Sequence, residues 1–360
     1  MRRNHAGAAA RALLGLSRLF AARTGRSGPG RPAARNAARL APAALAVLAA
    51  ALAPALAATG CSTAPKEKTE SFEVRNKAAE YSALADGFLA KGEYDSAVKF
   101  YRESADANSL VDNVEGVARA RVSLGRAYMA SGDAAAAERE FSEALAYAAL
   151  SGSKPAAALA KAGQGELAFA RGEKEAALAL FEEALGLAAG DEGATAVALH
   201  DAATAKAALG RLAEAKAELE RAAALNQKRR RWTELAANRY VLASVLAKEG
   251  SLEAALAAAL SALEADKSAE NGKGIAGDLA AAASLSRRLG RPEEAYGYWR
   301  RSFDTALVAN EAAGVRKALS ALAELAAELG KAAEAARWSA LLAKLDEAEG
   351  KGAAAPQGTK

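Results

Sequence analysis

Few residues that could catalyse a reaction or bind a metal occur in this sequence, and their spacing brings none of them together. The chain has one cysteine, Cys61, and two histidines, His5 and His200. Zinc sites combine several histidine, cysteine or carboxylate ligands, and no histidine pair is present to begin one. The glycines around Lys273 lack the G-x-x-x-x-G-K-[ST] spacing of a phosphate-binding loop and follow no predicted strand. We therefore expect no metal site, no cofactor and no enzymatic activity.

The basic residues are concentrated at the start of the chain. The formal net charge is +5, but residues 1–40 contain nine arginines and no acid, and residues 41–60 contain no charge. Removing those nine leaves 39 basic against 43 acidic residues, a net charge of −4 for residues 61–360. The basic run at 228–231 is expected to be a solvated segment between repeats. We expect no nucleic-acid partner.

An uncharged apolar segment at residues 40–58 follows the arginine-rich stretch and precedes Thr59-Gly60-Cys61-Ser62. A positive segment, an apolar segment and small residues before a cleavage point are typical of a secretory signal. Two alternatives remain open. The apolar segment is long enough to stay as a membrane anchor, and ordinary cleavage after Ala57 would release a secreted protein that is not lipidated. Each interpretation places the rest of the chain outside the cytoplasm.

The single cysteine after the apolar segment, preceded by Gly60, resembles the lipobox of bacterial lipoproteins. The resemblance implies cleavage before Cys61, a diacylglycerol on its thiol and acylation of the new amine. It implies a protein of the bacterial cell envelope, lipid-anchored to the inner or outer membrane and facing the periplasm or exterior. An acylated Cys61 could not act as a nucleophile.

Glycines recur in a nearly fixed register from about residue 72. Their intervals are 40 residues except for one of 38, and an alanine follows each glycine five positions later. These glycines are Gly92, Gly132, Gly172, Gly210, Gly250, Gly290 and Gly330. Nine positions after the glycine the residue is large in most repeats, as in Tyr101, Phe141 and Trp299.

This pattern predicts helical hairpins. A glycine accepts the left-handed conformation that ends a helix, and alanine, which dominates the composition, has the highest intrinsic helix propensity. The small residue lets the two helices approach closely, and the large one fills the space between neighbouring hairpins. Since one hairpin cannot bury its own faces, consecutive hairpins must stack. The expected fold class is all-α.

These residues resemble the tetratricopeptide repeat (TPR) family, whose W-x₂-L-G-x₂-Y…A-x₃-F pattern is clearest at Leu124, Gly125, Tyr128, Ala137 and Phe141. The resemblance implies a right-handed superhelical solenoid of about seven hairpins. Its period of 40 exceeds the common 34 and is similar to the extended subclass of kinesin light chains and some bacterial regulators. Longer helices or longer links could produce it. We expect a leader at 1–60, a flexible tether at 61–71, the solenoid at 72–348 and a disordered tail at 349–360.

The resemblance also implies that the first helix of each repeat lines a concave groove. The stripe that faces inward lies about three, six and ten residues before each turn glycine. The predicted partner-binding residues are Arg126, Met129, Glu166, Phe169, His200, Thr204, Tyr240 and Ser244. Packing remains an alternative for Met129 and Phe169, and Arg126 and Glu166 could simply pair across adjacent repeats. His200 could equally be a partly buried hydrogen-bonding residue.

The functional prediction is a scaffold or adaptor of the envelope that holds a protein or peptide partner in this groove. Two alternatives remain. The protein could be an accessory partner of a solute-binding or transport system, or a structural spacer without a defined ligand. Repeat patterns record packing positions, so they predict architecture and leave the partner unidentified.

Overall fold

The computed structural model describes residues 70–353, which form fourteen helices and no strand. Consecutive helices pair into seven antiparallel hairpins, from α1 with α2 in hairpin 1 to α13 with α14 in hairpin 7. In chain order the helices are α1 (Glu70–Ala90), α2 (Tyr94–Leu110), α3 (Val114–Ser131), α4 (Ala134–Ser151), α5 (Lys154–Ala170), α6 (Lys174–Leu187), α7 (Glu192–Ala208), α8 (Leu212–Lys228), α9 (Trp232–Lys248), α10 (Leu252–Ser268), α11 (Gly272–Arg288), α12 (Pro292–Val308), α13 (Ala312–Glu328) and α14 (Ala332–Ala353).

The seven predicted glycines occupy the turns within the hairpins, and all have a positive φ of 70° to 87°. The turns between hairpins use the same geometry, with positive φ at Asp112, Gly152, Gly190, Arg230, Glu270 and Asn310. Except at Gly190, where Asp191 N donates to Ala188 O at 2.9 Å, an amide in each of these turns donates to the carbonyl five residues earlier. Asp133 N donates to Tyr128 O at 2.9 Å within hairpin 2, and Asn113 N donates to Asn108 O at 2.9 Å before it.

Long helices, and not long links, account for the 40-residue period. Most helices between α2 and α13 have 17 or 18 residues, and only two to four residues separate consecutive helices. A helix and one short turn therefore occupy about 20 residues, and a hairpin occupies two such units.

The predicted packing positions are buried. The alanine five residues after the glycine is fully buried in the first six hairpins, as in Ala97 and Ala137, and partly buried at Ala335. The large residue nine after the glycine is also buried, as in Phe141 at 0% and Trp299 at 5% exposure. Ser339 occupies this position in hairpin 7 and is exposed, because no later hairpin covers it within the described residues.

The helices extend slightly beyond the predicted solenoid, from Glu70 to Ala353. The predicted domain boundaries, with the solenoid at 72–348, stay a prediction, because helix ends alone do not define a domain. The predicted leader and the predicted lipidation site at Cys61 lie outside the described residues. Between residues 70 and 353 no helix has the length and apolar character needed to cross a membrane.

Candidate functional site

The first helices of the hairpins form the inner layer of the solenoid. Each packs against its own second helix, and from α3 onward each also packs against the first helix of the next hairpin. Among the described residues no comparable contact joins successive second helices. The first helices therefore follow the shorter, inner path, and the side chains that they leave free line the concave face.

A cavity of about 240 Å³ opens on this face between α5, α7 and α9. It collects four of the predicted groove residues, Phe169, Thr204, Tyr240 and Ser244. Ala207, Ala208, Val241 and Lys248 complete its lining. Tyr240 is 43% exposed, and Phe169 also packs on the core of hairpins 3 and 4. The cavity can therefore receive a large apolar side chain, with the hydroxyl groups of Thr204, Tyr240 and Ser244 around it.

Arg126 and Glu166 form an ion pair between α3 and α5. The Arg126 Nη2 donates to Glu166 Oε1 at 2.6 Å, and its Nε lies 3.1 Å from both carboxylate oxygens. The Glu166 carboxylate raises the pKa of Arg126. Burial, and then the charge of Glu166, raise the pKa of the neighbouring Asp201 well above its usual value. The pairing across adjacent repeats is thus confirmed, and both charges are largely neutralised within the chain.

His200 is directed away from the cavity that holds Phe169 and Tyr240. Its Nδ1 lies 2.9 Å from the Asn238 Nδ2, and it lines a separate crevice of about 80 Å³ with Asn226 and Glu234. Burial lowers the pKa of His200. His200 therefore lies at the junction between hairpins 4 and 5, beside the amide of Asn238, and does not line the cavity that collects Phe169 and Tyr240.

Met129 is a packing residue. It is partly buried against a core cluster that includes Val122, Phe141 and Leu167 from hairpins 2 and 3. It belongs to neither of the two crevices described above. These contacts support a role for Met129 in packing between hairpins, and not in binding a partner.

Two features of the concave face were not predicted. Lys248 lines the main cavity and its Nζ donates to the carbonyl of Ala207 at 3.2 Å. Lys248 lies two residues before the turn glycine Gly250. The predicted groove positions lie three, six and ten residues before each turn glycine, so they did not include it. A second, more open groove of about 560 Å³ lies along α13 and is lined by residues that include Trp299, Arg316, Lys317 and Glu324.

The site has the properties of a binding surface. In the part of the chain that the structure describes, no three histidine, cysteine or acidic side chains are grouped to hold a metal ion. The cavity combines apolar walls, three hydroxyl groups and one lysine, which suit recognition of a side chain.

No known protein-family model matches the chain, and no curated protein matches it. Solved structures do share its fold. The apo form of RapI superposes with a TM-score of 0.58 at 13% identity, over 76% of this chain and 76% of RapI. A Rap protein complexed with competence and sporulation factor has a TM-score of 0.52 at 18% identity, over 78% of each chain.

A third similar structure is a signal transduction ATPase with numerous domains from Pyrococcus horikoshii, which has a tetratricopeptide repeat sensor. It superposes with a TM-score of 0.53 at 15% identity, over 79% of this chain and 43% of the ATPase. At these identities the similarity establishes the fold alone. The chain is an all-α solenoid of TPR-like hairpins, and the fold class predicted from the repeats is confirmed.

Proposed function

We propose that this protein is a non-enzymatic scaffold of the bacterial envelope that holds a segment of another protein in its concave groove. The observation that carries the proposal is the cavity built by three successive first helices around Phe169 and Tyr240. An exposed aromatic ring beside a partly buried one is suited to anchor a partner's side chain. One of the structural neighbours, the Rap protein, was solved with competence and sporulation factor, so a solenoid of this kind can hold a partner.

A photo-crosslinking residue at position 240 tests the groove. p-Benzoylphenylalanine in place of Tyr240 should give a defined crosslinked species in cells that express the protein at its natural level. The matched control replaces Tyr298, a partly buried tyrosine on the second helix α12. Ser244→Trp, at an exposed position of the cavity wall, should fill the cavity and abolish the crosslink. Equal crosslinking from positions 240 and 298 would refute the proposal that the partner binds in the concave groove.

The second part of the proposal is the anchor. We infer that Cys61 is the acylated N-terminus of the mature protein, and the support is the lipobox-like sequence at 58–62. Metabolic labelling with a palmitate analogue should mark the protein, and Cys61→Ser should remove the label. Label that survives the substitution would exclude lipidation at this residue.

A further inference from the structure

The two layers of the solenoid carry opposite net charges. In hairpins 2 to 6 the first helices, α3, α5, α7, α9 and α11, contain 11 basic and 6 acidic residues, a net charge of +5. The second helices of the same hairpins contain 8 basic and 15 acidic residues, a net charge of −7. The inner layer, which forms the concave face, is therefore the positive layer, although residues 61–360 as a whole are negative.

The acidic side chains of the first helices around the cavity are paired or buried. The helices α5, α7, α9 and α11 contain five of them. Glu166, Glu192 and Glu234 each form an ion pair with a lysine or arginine of the chain, at distances of 2.5 to 2.9 Å between nitrogen and oxygen. Burial raises the pKa of the other two, Asp201 and Asp278, which favours their uncharged forms. These acids therefore offset little of the positive charge that a partner would meet.

Two exposed cations of the inner layer form no ion pair with an acidic side chain of the described residues. They are Lys248 and Arg288, which occupy equivalent positions two residues before a turn glycine. The Nζ of Lys248 donates to the carbonyl of Ala207 at 3.2 Å, and the Nη2 of Arg288 donates to the carbonyl of Ala247 at 3.0 Å. Each cation is thus held at the carbonyl end of the preceding first helix, where its charge is favoured. Each keeps further N–H donors for another acceptor.

Both cations lie beside the cavity. Lys248 and Ala207 line it, and Ala247, which Arg288 contacts, directly precedes Lys248 in α9. The acidic Glu249 follows Lys248, but one residue corresponds to a rotation of about 100° around a helix, and Glu249 does not line the cavity. Charged groups that meet across an interface are arranged with opposite signs. A side chain in the cavity would therefore have a favourable neighbour if that neighbour were acidic, and an unfavourable one if it were basic.

We propose that the partner segment is acidic: it fills the cavity with a large apolar side chain and places an adjacent aspartate or glutamate beside Lys248 and Arg288. This inference rests on the proposed function, because it names the chemistry of the segment that the groove holds. A carboxylate that accepts from the ammonium and the guanidinium would form charge-assisted hydrogen bonds. The positive charge of the inner layer would also attract an acidic segment at longer range.

The test selects random peptides, displayed on phage, against the purified full-length protein. The peptides are fused to the phage through their C-termini, so an acidic preference reports on side chains and not on a terminal carboxylate. The enriched peptides should combine a large apolar residue with aspartate or glutamate. Ser244→Trp, which should fill the cavity, is expected to abolish their binding.

The affinity of a synthetic copy of an enriched peptide, measured by fluorescence anisotropy, tests the two cations. Replacing Lys248 and Arg288 together by serine should weaken binding about tenfold, whereas Lys248→Arg with Arg288→Lys keeps both charges and should retain the affinity. The matched control replaces Lys174 and Arg221 by serine, since both are exposed cations of second helices, α6 and α8; it should change nothing. Replacing the acidic residues of the peptide by their amides should weaken binding to the unmodified protein by a similar factor.

Four outcomes would overturn the proposal. They are enriched peptides with no excess of acidic residues over the unselected library, an unchanged affinity when the two cations or the peptide's acids are removed, an equal loss in the control variant, and equally strong competition by single-stranded DNA or phosphatidylglycerol vesicles. The last would show that the cations bind any polyanion. Peptides that lack acidic residues but lose binding on Ser244→Trp would refute only the acidic partner. If no enriched peptide responds to Ser244→Trp, the groove proposal fails as well.

Discussion

Two buried carboxyl groups meet where hairpin 5 joins hairpin 6. Asp266 on α10 is 4% exposed and Asp278 on α11 is 2% exposed, and the charge of Asp266 acts on the Asp278 carboxyl. One hairpin earlier, Asn226 and Asn238 occupy the same positions, and Asn226 Nδ2 donates to Asn238 Oδ1 at 2.8 Å. A carboxyl pair can reproduce that bond only if one member keeps its proton. Burial, followed by the charge of Asp266, raises the pKa of Asp278 to about 8.

This pair predicts a stability that falls as the pH rises. The unfolded chain loses the Asp278 proton near pH 4, whereas the folded chain keeps it up to about pH 8. The folded state therefore binds more protons between these values, and the free energy of unfolding decreases across that window. The asparagine in the Asp278→Asn variant carries amide hydrogens at every pH, so it can donate a hydrogen bond to Asp266 without binding a proton. We expect it to weaken the pH dependence and to raise the free energy of unfolding at pH 8 by roughly 1 to 3 kcal/mol, measured by urea unfolding at a series of pH values.

The control for this prediction is Asp106→Asn, which changes an exposed carboxyl on α2 and should leave the pH profile intact. A profile that is the same in the Asp278→Asn variant as in the parent would show that the pair does not share a proton.

The sequence contained the signal for this pair, but only the turn register identifies it. Asp266 lies four residues before the turn residue Glu270 and Asp278 lies eight after it, and Asn226 and Asn238 have the same relation to Arg230.

The prediction of the groove from the family resemblance had a similar limit. It identified Phe169 and Tyr240, which share the cavity, but it could not show that Asn238 would bind His200 elsewhere. Spacing shows which side of a helix a residue occupies, whereas its contacts depend on the neighbouring helix.

At the scale of the elements, Phe141 fixes the distance between three helices. Its ring lies on α4 and is fully buried. A Cβ at Gly125 of α3 would approach it to 2.5 Å, and a Cβ at Gly163 of α5 would approach it to 2.4 Å. The two glycines therefore leave the space in which the ring packs between hairpins 2 and 3.

Gly163→Ala should destabilise this junction. The added methyl group must displace Phe141 or the helices, which costs about 1 to 3 kcal/mol even though alanine has the higher helix propensity. Gly297→Ala is the control, because a Cβ at this exposed position in α12 meets nothing within 4 Å. It should stabilise the protein by about 0.5 to 1 kcal/mol. Opposite signs for the two variants in urea unfolding would support the assignment. Stabilisation by both would show that the ring can move at little cost.

Some of the turns between helices could be predicted from residue type, and others could not. Glycine marks every turn within a hairpin, so those turns could be predicted from residue type. Between hairpins, positive φ occurs at Asp112, Arg230, Glu270 and Asn310. Arginine and glutamate seldom adopt this conformation, so residue type gave no signal at Arg230 and Glu270. The packing of adjacent hairpins imposes the turn, and only the regular spacing of about 20 residues would have located it.

At the scale of the whole molecule, the apolar core is unevenly distributed. Hairpins 6 and 7 share a cluster with large side chains that include Trp299, Phe303, Leu322 and Trp338. The clusters of hairpins 2 to 4 contain mostly alanine, with Phe141 and Phe181 as the main exceptions. Because each hairpin of a solenoid contacts only its neighbours and stability scales with the apolar area buried, different segments of this chain should open with different free energies.

Phe303→Ala should therefore destabilise one end of the molecule and not the other. Phe303 is 1% exposed and contacts Trp338 edge-on, with ring centroids 5.5 Å apart. Its removal leaves a cavity that costs about 3 to 5 kcal/mol. Hydrogen exchange followed by mass spectrometry should show faster exchange in α11 to α14 and unchanged exchange in α1 to α6. Val308→Ala, at an 89% exposed position of the same helix, should change neither region. Faster exchange of similar size along all fourteen helices would mean that the solenoid opens as one cooperative unit.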